Sequence, residues 1–380
     1  MTHSILIVAG ENSGEKCGAS FIKEFRNNNP STEFFGIGGH QMKEEGVSLL
    51  YSIQDLSHVG IFEILSHLPR LKRILSNIKH EVERRKPEAA VLIDSPDFNL
   101  RLVKSLKKLG IPVLYYISPT VWAWRKGRLK TIKKYVDKML LIFPFEAKIY
   151  QQAGIPAEYV GHPLLERMNL SLSREEFYQK YNLSPDKKTI CLLPGSRQSE
   201  INYHMPILTP AVQKIEEEWG IQHVLPLAEN LDVEYLRSFL PPDQSRINIL
   251  TEDRLEGMAY SDLILSSCGT ANLEAALLGV PFIAYYRISP LTYSLGIPFV
   301  RTRTYSIVNI LAGSKIIPEL IQKRFTPDNI VNETRNILQS EQTRARMKEQ
   351  FQKIRGSLGE RKASQNAAKA LGKLLFLNYS

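Results

Sequence analysis

The sequence predicts an α/β protein built from two halves, each a parallel sheet covered by helices on both faces. Three observations predict it. The chain has 380 residues, more than one hydrophobic core usually serves. Apolar runs of strand length alternate with longer amphipathic segments, the pattern of a parallel sheet buried on both faces. That rhythm breaks once, near residues 163–187, where PLLERMNLSLSREEFYQKYNLSPDK is polar and turn-rich, and then restarts.

In the first half, SILIVAG, AAVLIDS, PVLYYIS and KMLLIFP read as near-continuous buried strands. Between the first two lies residues 58–86, with Ile61, Leu65, Leu68, Leu71, Leu75, Ile78 and Val82 at helical intervals. Two readings fit this segment. Its stripe lies on the core with Arg70, Lys72, Arg73 and Lys79 in water, or it is interfacial and reaches toward lipid around Phe62. In the second half, TICLLPGS, HVLPLA, RINIL, DLILSS and PFIAYY are the strands. From about Asp328 to Leu377 the composition is helical, suited to packing on the first half or on another subunit. The expected domains are residues 1–170 and 180–345, with the helix from about 345–380 able to return to the first.

Bulk composition narrows the function classes. Hydrophobic residues at 43% and charged residues at 23% are those of a soluble globular protein. A net charge of +10 favours an acidic partner, whether nucleic acid, phosphorylated substrate or anionic membrane. Lys and Arg are spread over both halves with no nucleic-acid-binding module, so nucleic acid is not expected. Cys17, Cys191 and Cys268 form no pair, which argues against a disulfide framework or zinc site and fits a reducing cytoplasm. The histidines are dispersed and no metal is expected. No signal peptide or membrane-spanning run is legible.

Three strand-to-helix turns are chemically unusual. VAGENSGEKCGAS carries Gly10, Gly14 and Gly18 without either standard phosphate-loop spacing. Its Ser13 and Glu15 line a ligand cleft, or the glycines merely serve a tight turn. LLPGSRQSE projects Arg197 from a turn, where a guanidinium can clamp a pyrophosphate helped by free amides of the next helix. The bland alternative is a surface Arg. In SSCGTANLEAALLGVP, Ser267, Gly269 and Thr270 let a phosphate approach the backbone at a positive helix end, and Glu274 is placed for a ribose diol. Taken alone, Thr270 is equally an N-cap and Glu274 a favourable first-turn acid.

Two further stretches offer chemistry. AAVLIDSPDFNLR sets Asp94, Asp97 and Asn99 at a strand end, where a cleft can tune a carboxylate into a general base; Asp94 also reads as a turn-former. ISPTVWAWRKGR places Trp122 and Trp124 beside Arg125, Lys126 and Arg128, a wall for a sugar or acyl ligand or a packed loop.

Together these motifs resemble the lipid-A-disaccharide synthase family, inverting glycosyltransferases of the GT-B fold, two Rossmann-like parallel-sheet domains facing across a cleft. The likeness runs through AGENSGE, VGIFEIL, DSPDFN, YYISPTVWAWR, FPFE, GHPL, LPGSR, SSCGTANLE, IVNILAG and PELIQ. It implies UDP-2,3-diacylglucosamine as donor and 2,3-diacylglucosamine 1-phosphate (lipid X) as acceptor, with no cofactor. It also implies a cytoplasmic enzyme held peripherally on the anionic inner-membrane surface, with a homodimer possible. The resemblance makes Asp97 the general base and sets Ser13, Glu15, Asn99 and Trp122 around the acceptor. Arg197, Ser267, Gly269, Thr270, Glu274, Asn309 and Gln322 hold UDP. Glu15 stands where the family usually has Asp, Val308 where it has Pro, and His40-Gln41 where it has Pro-Arg. The alternative is another GT-B UDP-sugar enzyme, such as a UDP-N-acetylglucosamine 2-epimerase.

Overall fold

The computed structural model describes residues 3–57, 64–123, 125–228, 231–241, 247–296, 304–360 and 362–375. The chain divides into two compact units: Met1–Glu166 with Leu358–Ser380, and Arg167–Pro298 with Thr302–Ser357.

The first unit runs β1 (Ser4–Ala9), α1 (Asn12–Asn28), β2 (Glu33–Gly38), α2 (His40–Glu44), β3 (Ser48–Ser52), α3 (Gln54–Ser57) and α4 (Ile64–Arg85). It continues with β4 (Ala89–Ile93), α5 (Pro96–Lys108), β5 (Val113–Tyr116), α6 (Arg128–Tyr135), β6 (Lys138–Leu141), α7 (Glu146–Gln152) and β7 (Ala157–Tyr159). Its sheet has the order β3-β2-β1-β4-β5-β6-β7, every pair parallel. Strands such as Ile5–Ala9 and Ala89–Ile93 are fully buried because helices cover both faces. One face packs on Ile74, Ile78 and Val82 of α4, Leu102, Val103 and Leu106 of α5, and Ile132 of α6.

The second unit runs α8 (Arg174–Lys180), β8 (Thr189–Leu193), α9 (Gln198–Trp219), β9 (Gln222–Pro226), α10 (Val233–Arg237), β10 (Ile247–Leu250) and α11 (Arg254–Ala259). Then come β11 (Leu263–Ser267), α12 (Thr270–Leu278), β12 (Phe282–Tyr286), α13 (Pro290–Gly296), α14 (Ile307–Ala312), β13 (Glu319–Ile321), α15 (Pro327–Gln339) and α16 (Glu341–Ser357). The sheet order is β10-β9-β8-β11-β12-β13, again all parallel.

The last helix, α17 (Ala363–Leu374), returns to the first unit and lays Ala367, Ala368 and Leu371 into the second face of its core, beside Phe21 and Phe25 of α1. Asn366 Nδ2 donates to the Val160 carbonyl at 3.0 Å, and the Ser364 amide and hydroxyl donate to Glu166 at 2.8 and 2.6 Å. α16 stays in the second unit, its Phe351 stacked on Phe282 with centroids 5.6 Å apart. The helical tail therefore divides near Ser357 and not near residue 345.

In the amphipathic segment, Ile78 and Val82 lie in the core with Leu71 and Leu75 partly buried against it, so this part of the stripe is structural. Ile61 and Phe62 fall outside the described residues, as do the side chains of Leu65 and Leu68.

Candidate active site

Strand order reverses once in each sheet, between β1 and β4 in the first unit and between β8 and β11 in the second. In open parallel sheets, ligands bind outside the carboxyl ends of the strands at such a switch point. The four turns that leave these strands are AGENSG, DSPDFN, PGSRQSE and SSCGT, the stretches whose chemistry stood out in the sequence.

In the first unit the two turns press together: a Cβ at Gly10 would overlap the Ser95 side chain, which is why the residue after β1 is glycine. Asp94 and Ser95 both adopt left-handed backbone, with φ of 48° and 43°. Two consecutive non-glycine residues there store strain of about 1–2 kcal/mol each. Surrounding hydrogen bonds hold it. Asn99 Nδ2 donates to the carbonyls of Ile93 at 3.2 Å and Asp94 at 2.8 Å, and the Tyr115 hydroxyl donates to the Asp94 carbonyl at 2.5 Å. Asn99 is fully buried, and its amide nitrogen fixes this turn.

The two acids of DSPDFN have different surroundings. Burial, reinforced by the nearby Glu11 carboxylate, pushes Asp94 up to about 7, against the opposing pull of the Ser95 amide and Arg128. Asp97 opens the first turn of α5 with its side chain 68% exposed, and one oxygen accepts from Arg125 and Arg128, each at 2.7 Å. Both guanidiniums therefore meet on this one carboxylate. Asp94 is thus the buried acid of the pair and Asp97 the exposed, ion-paired one.

Glu15 is buried and accepts from the Gln41 amide at 2.7 Å, against a backbone where a Cβ on Gly39 would overlap its carboxyl. It ties α1 to the start of α2, a different duty from contacting an acceptor. Ser13 is exposed in the first turn of α1. Trp122 is half-buried and meets Phe145 edge-on with centroids 5.4 Å apart. Beside it the buried Glu146 accepts from Ser118 Oγ at 2.8 Å and from the Phe143 amide at 3.3 Å, and burial raises it to about 7. Glu146 thus fastens the loop that carries Trp122 and Arg125. The FPFE motif held this residue in view, but no spacing rule singled it out.

In the second unit three helix N-termini differ in one respect. At α9, Glu200 accepts from the amides of Ser196 at 2.9 Å and Arg197 at 3.3 Å. These are the amides expected to be free for phosphate. The capping acid sits three residues after Arg197, the recurrent spacing for such a cap. Gly195, with φ of 131°, lets it in, since a Cβ there would come 2.6 Å from Glu200 Oε2. The Arg197 side chain is 62% exposed, with Nη1 3.8 Å from Glu200 Oε1. At α14, Glu319 accepts from the amides of Tyr305 at 3.2 Å and Ser306 at 2.9 Å.

At α12, by contrast, no acid lies in the first turn and no side chain caps the helix. Gly269 and Thr270 are exposed, and a Cβ on Gly269 would meet nothing within 4 Å. Of these three helix ends, α12 is the one without a capping carboxylate among the described residues. Ser267 is buried, and Asn272 Nδ2 donates to the Ser267 carbonyl at 3.0 Å and to Ser266 Oγ at 2.9 Å, which sets the turn. Glu274 Oε2 is 2.6 Å from Arg254 Nη2, a partner the sequence did not reveal.

Asn309 and Gln322 are both engaged by neighbouring groups. Asn309 is buried and uses both ends of its amide. It donates to the Ile317 carbonyl at 3.1 Å and Glu319 at 2.9 Å, and accepts from the amides of Ile316 at 2.8 Å and Ile317 at 3.0 Å. It clamps the loop after α14 and has no capacity left for a nucleotide. Gln322 faces the backbone of Ile288, with amide-to-amide pairing at 3.2 Å in the orientation that satisfies both groups.

A family model described as lipid-A-disaccharide synthetase matches residues 5–373. The chain belongs to that family. It is 41% identical over 374 residues to the lipid-A-disaccharide synthase of Myxococcus xanthus, covering 98% of this chain and 97% of the relative. It is 39% identical over 350 residues to that of Geobacter sulfurreducens, covering 90% and 91%. Among solved structures it resembles the Staphylococcus aureus MnaA–UDP complex with a TM-score of 0.69 at 13% identity, covering 99% of this chain and 98% of that one. It also resembles the Neisseria meningitidis UDP-GlcNAc 2-epimerase bound to UDP-GlcNAc, with a TM-score of 0.67 at 14% identity and coverage of 99% and 100%. The fold is therefore GT-B and the enzyme a glycosyltransferase. The likeness to the epimerases extends to the fold alone, so epimerase activity is not favoured. Among the described residues, no helix is long and apolar enough to cross a membrane.

Proposed function

We propose that the protein transfers a 2,3-diacylglucosamine unit from UDP-2,3-diacylglucosamine to the 6-hydroxyl of 2,3-diacylglucosamine 1-phosphate, with inversion. The products are a β-1′,6-linked disaccharide 1-phosphate and UDP. The observation that carries the mechanism is Asp94, an acid raised to about 7 on a strained turn at the first switch point. In the step proposed, the acceptor 6-oxygen bonds to the donor's anomeric carbon as the bond from that carbon to the phosphate oxygen breaks. The hydroxyl proton passes to Asp94 and later to water, and the electron pair leaves with UDP.

The charge that develops on the departing pyrophosphate is taken by the amides and dipole of α12 at Gly269 and Thr270. Arg197, exposed on its turn, adds a guanidinium. Glu274, held by Arg254, accepts from the ribose diol. Asp97 thereby loses the role of base, and Asn309 acts by shaping its loop. The UDP and UDP-GlcNAc named in the MnaA and epimerase structures support a uridine nucleotide in this fold.

Both proposed substrates are acylated, so the reaction is proposed to occur at a membrane surface to which the protein binds peripherally. A net charge of +10 supports an anionic one. The test is an assay of purified protein with the acylated donor and acceptor, products read by mass spectrometry, against UDP-N-acetylglucosamine as the control donor. Disaccharide phosphate from the acylated pair is expected; epimerised UDP-sugar, or no disaccharide, would sink the proposal.

A further inference from the structure

We infer that Arg125 and Arg128 form a clamp for the phosphomonoester of the acceptor, with Asp97 as its internal placeholder; this rests on the acceptor proposed above. Both guanidiniums converge on one oxygen of Asp97, each at 2.7 Å. Asp97, in the first turn of α5, follows Asp94 by three residues across the left-handed Asp94–Ser95 turn, so base and clamp both lie just beyond the carboxyl end of β4. The two arginines differ in exposure. The Arg128 side chain is only 10% exposed and is fixed at the start of α6, while that of Arg125 is 50% exposed on the preceding loop.

Asp97 and Arg125 are exposed, and an exposed ion pair holds its partners only weakly. A phosphomonoester carries a charge of about −1.5 to −2 near neutral pH and three acceptor oxygens, more than one carboxylate offers. Two planar guanidiniums match those oxygens in pairs, and the phosphate displaces the carboxylate. Arg125 keeps left-handed backbone, φ 51°, which turns its side chain toward α5 in place of continuing the loop outward. A hexose with its 1-phosphate in the clamp carries its 6-hydroxyl on the methylene at C5, one ring oxygen away from C1, and that hydroxyl is the group that has to reach Asp94.

The test compares the 1-phosphorylated acceptor with its dephosphorylated counterpart in neutral detergent, for the wild type, Arg125→Met, Arg125→Lys and Arg128→Met. The wild type is expected to prefer the phosphorylated acceptor in kcat/KM by about tenfold or more, the scale of a charge-assisted contact. Arg125→Met and Arg128→Met should bring that ratio toward one, chiefly through KM, and Arg125→Lys should recover part of it. UDP affinity by calorimetry checks that each variant is folded. A ratio preserved in both Met variants overturns the clamp. So does a preference that appears only when anionic phospholipid vesicles are added, which would assign the arginines to headgroups. Transfer to neither acceptor by the wild type removes the acceptor reading itself and the clamp with it.

Discussion

Asp94→Asn removes the proposed base while keeping the shape of the turn. The Asp94 backbone carbonyl still accepts from Asn99 and Tyr115, so the strained DSPDFN turn is retained. Loss of a general base costs about 10²–10⁴ in rate, and turnover should fall by that factor with UDP affinity unchanged. The pH profile is the sharper readout. A base must be ionised to act, so with Asp94 at about 7 activity rises as pH increases through about 7 and levels above it. About half of the enzyme is then competent at pH 7 and about a tenth at pH 6, a roughly fivefold drop over that unit. Glu11 raises Asp94, so Glu11→Gln should move the limb to lower pH. Asp97→Asn should leave a limb in place. The assay is initial rate of UDP release from pH 5.5 to 8.5. An Asp94→Asn enzyme with more than about a tenth of wild-type turnover would refute the assignment, as would a limb that survives in it.

Other outcomes follow from the second unit. Gly269→Val puts a branched side chain where nothing lies within 4 Å and where φ, 169°, is ordinary extended backbone; folding should be untouched while calorimetric UDP affinity falls about tenfold or more, and unchanged affinity would move the nucleotide elsewhere. Asn309→Ala strands several buried partners and should cost roughly 2–4 kcal/mol of stability by denaturant melts; a loss below about 1 kcal/mol would deny its structural duty. His223 is buried and held down to about 4. The unfolded chain takes up its proton near pH 6.5, so the contribution of His223 is complete above that and lost as pH falls toward 4. The loss approaches about 3 kcal/mol. His223→Leu should therefore flatten the acid side of the stability curve, and an unchanged slope would contradict the burial argument.

The fold was legible where burial leaves a strong mark. β1, β4, β5, β8 and β11 are buried almost throughout because helices cover both faces, and each was anticipated from its run of apolar residues. β2, with the sequence EFFGIG, was hidden by its glycines; a Cβ on Gly36 would overlap the Ile7 carbonyl of the neighbouring strand, so packing demands what propensity disfavours. β7 and β13 are three-residue edges too short to show a period. The four functional turns were visible because small residues at a strand end have few other uses. What sequence could not supply was pairing across distance. Glu319 closing α14, Arg254 on Glu274 and two arginines on Asp97 are meetings that only the folded topology creates. They set the surroundings of Asp97 and the capping of α14. The family resemblance pointed to Asp97; the burial of Asp94 is visible only in the fold.

The central claim is a division of labour, with α12 taking the nucleotide's phosphates and the first switch point moving the proton. A crystal structure of the protein with UDP tests it most directly. The account predicts the pyrophosphate on the amides of Gly269 and Thr270, the ribose hydroxyls on Glu274, and Glu200 still seated on its own turn. A pyrophosphate bound at the Ser196–Arg197 amides with Glu200 displaced, or lodged in the first unit, would contradict it.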